Sequence, residues 1–115
     1  MIDKILVVNR GEIAQRIFRA CHRLGKTAVA IYSEADANAA WLKEADEAYG
    51  LAGVSATETY LNQDEIFRIA KIAKIDAIHP GYGFLSENAG FAQACADHDI
   101  KFIGPSPEAM RKMGS

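Results

Sequence analysis

The sequence predicts an α/β fold built on a parallel sheet, and three observations carry that expectation. Short β-type runs alternate with longer helical ones along the whole chain, which is the pattern of βαβ units. The first run, Ile5-Leu6-Val7-Val8, is continuously apolar and not alternating, as expected of a strand covered on both faces. At 115 residues the chain has room for one domain with its own core, and not for two.

The elements follow in order. Asn9-Arg10-Gly11 breaks the first strand. A helix then places Ile13, Ile17, Ala20 and Leu24 on one face, with Arg16, Arg19 and Arg23 on others. Gly25 is positioned to stop it. The second strand is Ala28-Val29-Ala30-Ile31-Tyr32. Ser33-Glu34-Ala35-Asp36 leads into a short helix around residues 39–45, and residues 47–51 make a weaker strand. Asn62-Gln63-Asp64-Glu65 has the form of a helix start, a capping amide with an acid three residues on. Ile66, Ile69, Ala70 and Ala73 give that helix its apolar face. Ala77-Ile78-His79 is a strand halted by Pro80-Gly81. The next helix opens near residues 86–88 and carries Phe91, Ala92, Cys95 and Ala96. Lys101-Phe102-Ile103 is the last strand. Ser106-Pro107-Glu108 opens a final helix with a Ser cap and Pro at its first position. That helix has only begun at Gly114-Ser115, so a truncated last helix is expected.

Composition narrows the function. Hydrophobic residues make up 50% and charged residues 24%, so disorder is not expected. Thirteen Lys+Arg against fifteen Asp+Glu leave a net charge of -2, which argues against a non-specific nucleic-acid binder. No apolar run approaches the roughly 18 residues of a membrane span. Met1-Ile2-Asp3-Lys4 lacks the form of a signal peptide, so a cytoplasmic chain is expected. The two cysteines, Cys21 and Cys95, have no CxxC spacing and read as buried spacers, not as a disulfide or metal site. His22 and His98 lie near helix ends, where exposure or the helix dipole explains them. Trp41 fits either the core or a surface covered by further chain.

In open α/β sheets ligands sit outside the carboxyl ends of the strands, and two loops occupy such places. In Asn9-Arg10-Gly11-Glu12, Gly11 fits a tight strand-helix turn and Arg10 fits a pair with a neighbouring acid. Neither G-x-G-x-x-G nor G-x-x-x-x-G-K-[ST] is present, so a dinucleotide or P-loop site has no support. The second loop, HPGYGFLSEN over residues 79–88, frames a tyrosine with two glycines. His79 reads as a hydrogen-bonded strand-end residue before it reads as a base. Tyr82 fits packing or stacking on a ligand. Glu87 fits a first-turn carboxylate favoured by the helix dipole. No nucleophile set and no carboxylate cluster with metal-ligand spacing is recognisable, so no catalytic or metal residue is named in this chain.

Together these strings resemble a known family. Residues 4–14 (KILVVNRGEIA), Arg16-Ile17, Arg19-Ala20-Cys21, Tyr32-Ser33-Glu34-Ala35-Asp36, Ala45-Asp46-Glu47-Ala48, Tyr60-Leu61-Asn62, HPGYGFLSEN and Phe102-Ile103-Gly104-Pro105-Ser106 look like the opening of biotin carboxylase, end to end. The resemblance is to the N-terminal, pre-ATP-grasp domain of the biotin-dependent carboxylases. It implies a Rossmann-like three-layer domain over residues 1–115, with the ATP-grasp and C-terminal domains absent. It implies an ATP-dependent ligase in which ATP, with Mg2+ or Mn2+, activates bicarbonate for carboxylation of biotin on a carrier protein or domain. A carboxyltransferase then serves an acyl-CoA or pyruvate. Chain 1–115 alone is not expected to turn over. Tyr82 and Gly83 would line the biotin and bicarbonate side of the cleft, and Glu87 either the site or its support. Arg16 and Arg19 match the family's homodimer interface.

The chain departs from the family at Arg23, where an acid is usual, at Trp41, where His is usual, and near Gly53-Val54-Ser55, where a Pro-rich turn is usual. Like charges at Arg16, Arg19 and Arg23 predict self-repulsion across a two-fold axis. Two other classes compete. A stand-alone nucleotide-binding module lacks its glycine fingerprint here. A receiver domain would need acids where Asn9 and Arg10 stand.

Overall fold

The computed structural model describes residues 1–113. Five parallel strands form one sheet in the order β3-β2-β1-β4-β5. They are β1 (Lys4–Val7), β2 (Thr27–Tyr32), β3 (Glu47–Gly50), β4 (Ala77–His79) and β5 (Lys101–Phe102). The helices are α1 (Gly11–Arg23), α2 (Gln63–Ala73), α3 (Ala89–Asp97) and α4 (Pro107–Met113), with 3₁₀ turns at Glu34–Asp36 and Ala40–Glu44. Winding runs outward both ways from β1, so the chain reverses direction across the sheet between β1 and β4. Loops leaving the carboxyl ends of these two strands therefore flank the switch-point crevice in which open α/β sheets place ligands.

The sheet is covered on both faces, which makes three layers. On one face Leu6, Val8, Val29, Ile31 and Ile78 pack with Ile66, Ile69, Ala70 and Ala73 of α2 and with Phe91 and Cys95 of α3. On the other, Ile5, Val7, Ala28, Ala30 and Ala77 pack with Ala14, Phe18 and Cys21 of α1. Two helices bury a different set from the apolar pattern of their sequence. Helix α1 buries Ala14, Phe18 and Cys21, not the stripe Ile13, Ile17, Ala20 and Leu24. Alanines 28, 30 and 77 leave a shallow floor on that sheet face, and the Phe18 ring fills it. Leu24 ends up 72% exposed. In α3, Ala96 faces outward, while Phe91, Ala92 and Cys95 are buried. Trp41 is half-buried on the α1 side, its ring 6.3 Å from that of Phe18.

The helix ends have local causes. Asn62 accepts from Glu65 N at 3.3 Å, Asn88 from Phe91 N at 2.8 Å, and Ser106 Oγ from Ala109 N at 3.1 Å. Gly25, at φ +69, lets Lys26 N donate back to Cys21 O at 2.8 Å and stops α1. Lys74 and Asp99 close α2 and α3 the same way, at φ 57 and 60. Among the described residues no helix is long and apolar enough to cross a membrane.

Candidate functional site

The crevice is built from β1 and β4 upward. As β1 ends, Asn9 turns inward and is 2% exposed. Its Nδ2 donates to Pro80 O at 2.8 Å and to Tyr82 O at 2.7 Å, and its Oδ1 accepts from Arg10 N at 2.9 Å. One side chain thus ties both loops together. Arg10 then reaches the loop after β2. Its Nε donates to Asp36 Oδ2 at 2.7 Å and its Nη2 to Asp36 Oδ1 at 2.6 Å, a two-pronged pair. The Tyr60 hydroxyl donates to Asp36 Oδ2 at 2.6 Å and accepts from Ser33 N at 3.1 Å. Arg10 holds the buried Asp36 carboxyl down at about 2, and Tyr60 helps. Burial, with Asp36 nearby, pushes the Tyr60 phenol up to about 12. Asp36 is therefore charged and Tyr60 neutral across the physiological range.

The loop after β4 rests on this frame. His79 Nδ1 accepts from Gly81 N at 3.1 Å, and burial lowers its pKa, so the ring is neutral with its proton on Nε2. Gly81 (φ +67) and Gly83 (φ +71) both sit in the left-handed region, but for different reasons. A Cβ on Gly81 would lie 2.6 Å from Asn9 Nδ2 and 2.9 Å from Ile13 Cγ2, whereas a Cβ on Gly83 would meet nothing within 4 Å. Phe84 takes φ 45, a strained value for a bulky residue, and its ring stacks on Tyr60 at 5.2 Å. Between these holds Tyr82 stands 79% exposed.

Two clefts open here. One, of about 520 Å³, runs between the loops and includes Asn9, Arg10, Tyr82 and Gly83. The other, a groove of about 510 Å³, lies along the half-buried stripe Ile13, Ile17 and Ala20 of α1, with Arg16, His79 and Tyr82 at its sides. Tyr82 belongs to both. Of the residues singled out from sequence, Tyr82 and Gly83 therefore come together and Arg16 joins Tyr82 at the groove. Glu87 lines neither cleft. It is exposed and precedes the α3 cap Asn88, so it is not a first-turn carboxylate. Arg19 is bound to Glu44 at 2.9 Å, and Gln15 also donates to Glu44. Arg16 donates to Glu12 at 2.9 Å. The expected self-repulsion of Arg16 and Arg19 is thus offset within the chain.

Sequence reading missed Asn9, Asp36, Tyr60 and Phe84 as a support. Their contacts join distant loops, and only the φ-permissive Gly81 beside Pro80 hinted at a tight approach. Among the described residues no three His, Cys, Asp or Glu side chains gather as a metal site. The donor set among the described residues therefore does not fit a metal.

Residues 1–110 match the family described as biotin carboxylase, N-terminal domain. The chain is 56% identical over its whole length to biotin carboxylase 2 of Bacillus subtilis, covering 26% of that protein. It is 55% identical over 98% of its length to human mitochondrial pyruvate carboxylase, covering 10% of it. The solved biotin carboxylase–β-gamma-ATP complex of Campylobacter jejuni superposes with a TM-score of 0.92 at 52% identity, over 96% of this chain and 25% of that one. The chain spans about a quarter of the length of the bacterial biotin carboxylases it matches. With a 3-2-1-4-5 parallel sheet and that match over nearly all its residues, this chain belongs to the biotin carboxylase N-terminal domain family.

Proposed function

We propose that residues 1–115 act as the N-terminal domain of a longer biotin carboxylase, one that uses ATP and bicarbonate to carboxylate biotin on a carrier protein or domain. A carboxyltransferase would then pass the carboxyl group to an acyl-CoA or to pyruvate. The observation that carries this reading is the pairing of an exposed Tyr82 ring with Gly83, whose flank is open, on a rigid support at the switch point. The near-planar ureido ring of biotin fits an aromatic face beside a glycine that lets backbone come close. The work of this chain is to bind and orient. It forms one wall of the cleft, presents Tyr82 and excludes water from that side. ATP with Mg2+ or Mn2+ supplies the activation of bicarbonate, and the residues here fit neither, so those sites are assigned to the rest of the longer protein.

Within the same reading, Arg16 and Arg19 serve a homodimer contact, because both lie exposed on α1, Arg16 at the side of the open groove. Glu87 serves the loop and not the ring wall. Two buried free cysteines fit a reducing compartment such as the cytoplasm. The test is phosphate release and biotin carboxylation with ATP and bicarbonate, for the longer protein and for chain 1–115 alone. Biotin-dependent turnover by the longer protein and none by this chain is expected. Turnover by this chain alone, or a longer protein indifferent to biotin, would overturn the reading.

A further inference from the structure

We propose that Asn9 is a positioning residue for biotin use, acting through the peptide between Tyr82 and Gly83. The inference rests on the reading that this loop faces biotin. Asn9 is buried, 71 residues before Pro80, and spends both amide hydrogens on that loop. The two carbonyls it binds flank Gly81, whose Cβ position lies 2.6 Å from the same amide nitrogen. The loop backbone is thus wrapped onto the side chain and leaves no room for a larger one. In a trans peptide the carbonyl and the N–H point opposite ways. By holding Tyr82 O inward at 2.7 Å, Asn9 turns the N–H of Gly83 away from the core and sets the plane on which Tyr82 stands.

Asn9 is itself fixed. Its Oδ1 takes Arg10 N at 2.9 Å, Arg10 is gripped by Asp36, and Asp36 by Tyr60, on which Phe84 stacks. The loop is held at residue 82 from one side and at residue 84 from the other, and Gly83 lies between the holds. Three replacements show why a short amide stands here. An aspartate turns oxygen toward two carbonyl oxygens, leucine donates nothing, and serine is too short to reach both acceptors. Each loss leaves buried carbonyls without a donor.

The experiment uses the longer protein carrying this domain, with Asn9→Asp, Asn9→Ser and Tyr82→Ala compared in steady state with free biotin and ATP varied separately. Melting curves and amide exchange over residues 81–84 are measured in parallel. Small displacements of a positioned group cost up to about 100-fold in rate, so both Asn9 variants are expected to lose roughly 10- to 100-fold in kcat/KM for biotin, with the KM for ATP within about twofold. The Gly81 amide, which donates to His79 Nδ1, should exchange faster while the sheet amides do not. If Asn9→Asp does not fold, Asn9→Ser carries the test. Biotin kinetics altered by Tyr82→Ala but not by the Asn9 variants would overturn the positioning role alone. Biotin kinetics unchanged by Tyr82→Ala would overturn the assignment of the loop, and the proposal with it. Losses that fall equally on ATP and biotin, or only in step with melting, would show a merely structural residue.

Discussion

Helix α2 turns Ile66, Ile69, Ala70 and Ala73 into the core, and its remaining surface is polar apart from Ile72 and the half-buried Phe67. Helix α1 buries Ala14, Phe18 and Cys21, and beside them leaves Ile13, Ile17 and Ala20 along an open groove that ends at Tyr82. One helix has a single apolar face and the other has two. The lesson is that α2 spends nearly all its apolar side chains on one buried face, whereas α1 carries a second, half-buried stripe, of which Ile17 packs partly against the core, along a groove that reaches the crevice edge. The same contrast recurs over three residues in Gly81 and Gly83. The first is a glycine because Asn9 and Ile13 crowd it, the second although nothing does.

Substitutions sharpen this contrast, beginning with the core. Phe18→Ala removes a ring that is fully buried and should cost about 3–5 kcal/mol in denaturant unfolding. Ile66→Ala should cost roughly 2–5 kcal/mol by the same mechanism. At the crevice, Gly81→Ala combines a left-handed φ with a clash against Asn9 and should cost about 2–3 kcal/mol, against about 1 kcal/mol for Gly83→Ala. Equal costs at the two glycines would break the comparison.

The Arg10–Asp36 grip gives a pH signature. Asp36 is held at about 2, below its ordinary 3.8. A carboxyl depressed in the fold stabilises above its unfolded value and loses that contribution as pH falls through the folded one. About 2 kcal/mol should therefore vanish progressively between about pH 5 and pH 2. Asp36→Asn should flatten that limb of a stability-against-pH curve, and an unaltered limb would remove Asp36 from the support. Smaller still, Ile17→Ser on the open stripe should cost no more than about 1 kcal/mol. Arg16→Ala, which breaks an exposed pair with Glu12, should change stability by under about 0.5 kcal/mol.

Much of this fold was legible because its causes are local. Asn62 with Glu65 announced α2, Gly25 stopped α1, and Ser106 with Pro107 opened α4. Where the cause was not local, the reading failed. Lys74 and Asp99 end helices in a conformation usually marked by glycine; lysine gives no sign of it, and aspartate only a weak one. The choice between the two stripes of α1 depended on how shallow alanines 28, 30 and 77 made the sheet beneath it. At the crevice, Tyr82 and Gly83 were visible as an unusually dense string. Of their support, only an acid paired with Arg10 was expected, and not which one, because Asn9 meets Tyr82 across 73 residues and Arg10 meets Asp36 across 26. No periodicity encodes contacts of that span.

The central claim is that the Tyr82 and Gly83 edge serves biotin and not the fold. Gly83→Val in the longer protein tests it most directly, by steady-state carboxylation of biotin beside a melting curve. The β-branched side chain at φ +71 should cost about 1–3 kcal/mol of stability. Under the proposed function it would stand where biotin approaches. At a temperature where the variant is fully folded, kcat/KM for biotin should fall by roughly 100-fold or more. An activity that falls only as the folded fraction falls would contradict the account.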